Sequence, residues 1–183
     1  MKETIRYKRK SNRPEYEKIT QIIKKLWAKP EREYQYFATE LVERYEKKFQ
    51  EDIIDLFEYM ITHKSWWDTV DRISKNLVGS YFIKFPNKRD QYLKLWLDSN
   101  NIWLQRTCIL FQLAYKENTD YKLLFDIITE LKGIDEFFIQ KAIGWALREY
   151  SKVDVERVKD FIENHELSPL SKREGLKYIN KEK

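Results

Sequence analysis

Lys64-Ser65-Trp66-Trp67-Asp68-Thr69-Val70-Asp71 sets an indole and a carboxylate four residues apart, and Arg106 and Lys141 follow Asp71 at steps of 35 residues each. Four residues is one helical turn, so Trp67 and Asp71 share a face. Thirty-five residues is the length of one helical hairpin. In a stack of such hairpins, Asp71, Arg106 and Lys141 fall at equivalent positions and form a row at about 10 Å per helix. Trp145 lies four residues after Lys141, so an indole stands at either end of the charged row.

Working outward, apolar residues recur at intervals of three and four: Ile19, Ile22, Ile23 and Leu26, then Tyr34, Phe37, Ala38, Leu41 and Tyr45. That period is helical. It predicts helices near 15–28, 31–48, 52–62, 66–83, 88–98, 101–116, 120–132, 136–150, 154–164 and 172–181, which pair into five hairpins. The second helices begin near Glu31, Trp66, Asn101 and Glu136, with a weaker echo at Ser171. Ser65 with Asp68, Asp135 ahead of its run, and Ser171 with Glu174 as a capping box are the start signals. Phe85-Pro86-Asn87 and Lys132-Gly133-Ile134 read as short loops. The expected fold is all-α, a right-handed α-solenoid of HEAT-like hairpins over residues 1–183 as a single domain. A generic helix bundle has the same periodicity, but no reason to keep a 35-residue step.

Composition agrees with this reading. Four Gly and four Pro among 183 residues, with 36% charged and 15% aromatic, suit amphipathic helices better than a turn-rich β chain. The start has no apolar core of a signal peptide, and no apolar run approaches the roughly 18 residues of a membrane span. Cys108 is the one cysteine, in an apolar run, and reads as a buried thiol in a reducing cytoplasm. Residues 1–13 carry Lys2, Arg6, Lys8, Arg9, Lys10 and Arg13 against Glu3, a net +5 that equals the formal charge of the whole chain. Such a basic arm suits a polyanion through counterion release, and is equally the composition of a solvated tail.

Each candidate has a plain structural role open to it. Tryptophans at helical spacing are commonly core, and Trp27, Trp66, Trp96 and Trp103 are assigned in or against the core. Asp71 and Arg106 could form an ordinary ion pair across helices. His63 and His165 stand far apart, each near a helix end, and build neither metal site nor triad. Gly79, Gly133, Gly144 and Gly175 are isolated and make no phosphate-cradling loop. No cofactor or metal is called for.

Taken with Asn101-Ile102-Trp103-Leu104-Gln105-Arg106, Phe137-Phe138-Ile139-Gln140-Lys141-Ala142-Ile143-Gly144-Trp145 and Leu167-Ser168-Pro169-Leu170-Ser171-Lys172-Arg173-Glu174, the opening stretch resembles the AlkD-type DNA alkylation repair family, from about residue 20 to the end. These are bacterial DNA glycosylases built from HEAT-like repeats. The resemblance implies excision of cationic N3- or N7-alkylated purines from duplex DNA. Asp71 would be the catalytic carboxylate, Trp67 and Trp145 the aromatic contacts to the lesion's sugar and backbone, and Arg106 a phosphate ligand. Lys141 joins the DNA-binding set from the repeat spacing, and Arg148 is placed with it. The expected setting is the cytoplasm, at the nucleoid, with the chain as a monomer and without metal. On this resemblance the chain is expected to start late, without about one N-terminal hairpin and an aromatic residue that the family carries. Two other employments stay open: a non-catalytic DNA-binding solenoid and a protein-binding scaffold.

Overall fold

The computed structural model describes residues 15–181, so the basic arm over 1–13 lies outside the described residues. Every regular element among them is helical. In α1 (Ile19–Trp27) the buried residues are Ile19, Ile23 and Trp27, one per turn along a single stripe. Next come α2 (Arg32–Glu43) and α3 (Ile53–Thr62). After α3, α4 (Trp67–Arg72) runs through a π-helical segment, Ile73–Val78, into α5 (Gly79–Lys84). The remainder is α6 (Pro86–Leu97), α7 (Ile102–Leu110), α8 (Tyr121–Leu131), α9 (Phe137–Tyr150), α10 (Val155–Asn164) and α11 (Pro169–Gly175).

These pair into hairpins, and the second helices touch in order: α2 on α4, α4 on α7, α7 on α9, α9 on α11. A continuous set of buried apolar side chains extends from Ile19 to Ile179, so each hairpin covers the apolar face of the next. The repeat shows in its polar bonds too. Gln35 Nε2 donates to the Trp27 carbonyl at 3.0 Å, and two 35-residue steps later Gln105 Nε2 donates to the Leu97 carbonyl at 3.1 Å. In each case a buried amide satisfies the free carbonyl end of the preceding helix. Lys64 (φ 50°) and Asn100 (φ 53°) turn the chain in the left-handed region between first and second helices. Neighbouring hairpins are also bonded directly, as in Trp27 Nε1 to the His63 carbonyl (2.7 Å) and Ser74 Oγ to Thr107 Oγ1 (2.9 Å).

Close approach of the second helices fixes two glycines. A Cβ on Gly79 would stand 2.6 Å from the Phe111 carbonyl oxygen, and one on Gly144 would stand 2.5 Å from Glu174 Cβ and 2.9 Å from the Ser171 carbonyl oxygen. Cys108 is fully buried, its Sγ 3.9 Å from the Leu93 carbonyl, and desolvation raises its thiol far above the ordinary value. No helix among the described residues is long and apolar enough to cross a membrane.

Several element boundaries differ from expectation. The last helix starts at Pro169, not at 172: Ser168 is its N-cap, accepting from the Ser171 amide, while Ser171 Oγ donates across to the Gln140 carbonyl at 2.9 Å. The capping box assigned to Ser171 and Glu174 therefore does not exist, and Glu174 is used elsewhere. α6 likewise begins at Pro86 inside the expected loop, since a proline at the first helical position gives up no bond. The runs expected over 31–48 and 101–116 end as α-helix at Glu43 and Leu110. Trp66 is not core, being 48% exposed.

Candidate active site

The site is built on the starts of the second helices. Trp66 caps α4 in an extended conformation without a side-chain bond, and the carboxylate two residues on supplies the anchoring. Asp68 accepts from Arg32 Nη2 and from Tyr36 Oη at 2.6 Å, both on α2, and from the Thr69 amide. Arg32 also donates to Thr69 Oγ1 (2.9 Å) and to the Lys64 carbonyl (2.8 Å). Burial alone would raise the Asp68 carboxyl, but these donors together bring it below the usual value. With Asp68 turned toward α2, Trp67 is left 48% exposed on the other side.

One turn on, Asp71 meets Arg106 of α7 in a two-pronged pair: Nε to Oδ1 at 2.7 Å and Nη2 to Oδ2 at 2.9 Å. The remaining guanidinium nitrogen, Nη1, donates to the Phe138 carbonyl at the start of α9. Arg106 therefore ties three consecutive hairpins, and all its donor nitrogens are in use. The side chains are 5% and 11% exposed, Arg106 first. Burial pushes the Asp71 carboxyl up while the Arg106 fork pulls it down, and burial is the larger, so Asp71 titrates above the usual carboxylate value.

Lys141 does not continue the row toward Arg106. Its Nζ lies 3.1 Å from Oε1 of Glu174, which also meets Arg148 (3.4 Å) and Lys177 (2.7 Å). The bond from Lys177, with Lys141 beside it, holds the Glu174 carboxyl below its ordinary range. One buried carboxylate thus organises three cations.

Trp67, Asp71, Arg106, Lys141, Trp145 and Arg148, the full set singled out in the sequence, line a single cleft of about 400 Å³. Every wall of that cleft comes from a second helix. The sequence reading missed three of its residues, Phe137, Phe138 and Glu174. Phe138 packs on Trp66 and Trp103, with ring centroids 5.5 and 4.9 Å apart, and Phe137, 58% exposed, packs edge-on against Phe138 at 5.4 Å. The doublet was visible at the start of α9, one 35-residue step after Ile102-Trp103. Glu174 stands 33 residues after Lys141, close to the step separating Asp71 from Arg106. An acid floor, aromatic sides and cations at one end suit a ligand that is anionic along its backbone and turns positive at one atom.

Two comparisons say what the chain is similar to. The chain is similar to a solved structure from Enterococcus faecalis described as a predicted DNA alkylation repair enzyme, with 37% identity and a TM-score of 0.84 over 92% of this chain and 78% of that one. No curated protein gives a significant match. The family model of the DNA alkylation repair enzymes matches residues 1–179, and with helical hairpins stacked as in that relative, the chain belongs to the DNA alkylation repair enzyme family.

Proposed function

We propose that the chain is a DNA glycosylase that excises cationic N3- or N7-alkylated purines from duplex DNA. The observation that carries this reading is the convergence of Trp67, Asp71 and Trp145 on one cleft, with the carboxylate oriented by Arg106.

The chemistry follows from the charge on the lesion. An alkylated purine is already positive, so the C1′–N bond breaks with its electron pair passing to the base, which leaves neutral and needs no general acid. The deficit develops on the deoxyribose, and a fixed anion beside it lowers the barrier. Asp71 is that anion. Its two bonds to Arg106 leave lone pairs on both oxygens, so it can face the sugar without giving up its partner. Water then adds at C1′ and passes its extra proton to the solvent that the open cleft admits. A unit charge pair at about 4 Å in a partly solvated site is worth about 4 kcal/mol, or roughly a thousandfold in rate. The indole faces of Trp67 and Trp145 add roughly 0.5–2 kcal/mol each toward a positive sugar. Lys141 and Arg148 hold the flanking phosphates, and Arg106 positions Asp71. The cleft is open, so selection rests on the lability of the lesion and not on its base edges.

Release of 7-methylguanine from methylated duplex is the test, and Asp71→Asn should lower the single-turnover rate by roughly 100- to 1000-fold. A folded, DNA-binding chain that frees no base would defeat the proposal. It would favour a second reading, a non-catalytic duplex binder, which draws support from Asp71 being covered on both oxygens by Arg106.

A further inference from the structure

Beyond the cleft, on the far side of Arg148, lies a smaller hollow of about 240 Å³ between α9 and the C-terminal segment. It is lined by Arg148, Lys152, Lys177, Tyr178 and Lys181. Four of these five side chains are cations, and none is an acid.

The nearby carboxylates do not balance them. Glu174 sits beneath the hollow, 6% exposed, and is shared among Arg148, Lys177 and Lys141. Lys152 is paired with Glu149 at 2.7 Å. Lys181 makes no ion pair with any described residue. The carboxylate below holds Arg148 by Nη1 and Lys177 by Nζ, and both lysine side chains remain nearly half exposed, at 48% for Lys152 and 46% for Lys177. A group of cations preorganised by one buried anion, with a charge surplus facing outward, fits a phosphodiester.

Resting on the glycosylase reading, we propose that this hollow seats a backbone phosphate of the same duplex, apart from those beside the lesion. Arg148 lines both the cleft and the hollow and makes them one continuous surface. From Trp145 to Lys152 is seven residues along α9 and its terminal turn, about 10 Å at the helical rise. With the duplex running along α9, 3.4 Å of axial rise per nucleotide puts the seated phosphate about three nucleotides from the lesion. The seat fixes the register of the duplex, so that the damaged sugar stops against Asp71.

The test uses the full chain, a fluorescent duplex with one N7-methylguanine, and neutral methylphosphonates placed singly at the first five phosphates on each side. One position about three nucleotides out should weaken binding by the unaltered chain roughly five- to tenfold. In Lys177→Gln/Lys181→Gln the duplex should bind that much more weakly, with the slope of log affinity against log salt reduced by about one. The methylphosphonate should then have no further effect in that variant. Losses that simply add, or a variant with unchanged affinity and salt slope, overturn the seat while leaving the glycosylase reading intact. Failure of the unaltered chain to bind duplex overturns both. Lys94→Gln/Lys122→Gln, on first helices, should behave as the unaltered chain.

Discussion

At Asp71 two demands meet on the proposed reading: the carboxylate has to be anionic to face a positive sugar, and it is almost entirely withdrawn from water. Arg106 reconciles them, and removing it has separable effects. Base release should rise with pH along an acid limb that reports Asp71 losing its proton, above the ordinary carboxylate range because burial outweighs the guanidinium. In Arg106→Gln the downward pull is gone, so the limb moves to still higher pH. Arg106→Lys, which keeps the charge and loses the fork, should fall between. Single-turnover release of 7-methylguanine across pH 5–8 reads the order, and an unmoved limb in Arg106→Gln would show that another group sets it. The same substitution leaves a buried acid without its partner and should cost about 3–5 kcal/mol in urea unfolding. The residues of this pair were legible in the sequence because a 35-residue step carries one helix position onto the next. What the spacing could not convey is that position 106 is sealed by its neighbours: the third donor ends on a backbone carbonyl, Phe138, and main-chain partners leave no mark in side-chain spacing.

Among the elements, the second helices were legible because each repeats the same exposed and buried faces. Their ends were less so. Ser168 ahead of Pro169 is a good helix start, but Ser171 and Glu174 present the same chemistry three residues later, and only the contact with α9 decides between them. The π-helical turn at Ile73–Val78 widens a helix by one residue per turn and still buries Ile73, Leu77 and Val78, so the apolar pattern conceals it. The tightest joint is between α9 and α11, where Gly144 leaves no room for a methyl group. Gly144→Ala should force α11 outward, at about 1–3 kcal/mol by thermal denaturation. Because Glu174 rides on that helix, Lys141 and Arg148 lose their common anchor, and duplex binding should weaken in the same variant. Full stability and affinity in Gly144→Ala would mean that the joint yields without disturbing the cations.

Across the whole molecule, charge is arranged between hairpins as well as within them: Asp68 with Arg32, Glu43 with Arg72, Asp71 with Arg106, Glu174 with Lys141. Three of these four carboxyls, Glu43, Asp68 and Glu174, titrate below their ordinary values. Their contribution to stability is complete above the unfolded carboxylate range, about 4, and is lost as pH falls through the lower folded values. Asp71 runs the other way: its contribution is complete below its ordinary value and lost as pH rises through the raised one. The urea midpoint should therefore hold near neutrality and drop below about pH 4, and a midpoint unchanged down to pH 3 would remove these links from the account. The sole thiol has a bearing on this family's working conditions. Methylating agents that damage DNA also attack sulfur, and they do so through the thiolate. Cys108, enclosed and kept protonated between α6 and α7, offers such electrophiles no nucleophile. After exposure to methyl methanesulfonate, the intact mass should show no thioether at Cys108 unless the chain has first been unfolded, so the protein would outlast the chemical stress that creates its work.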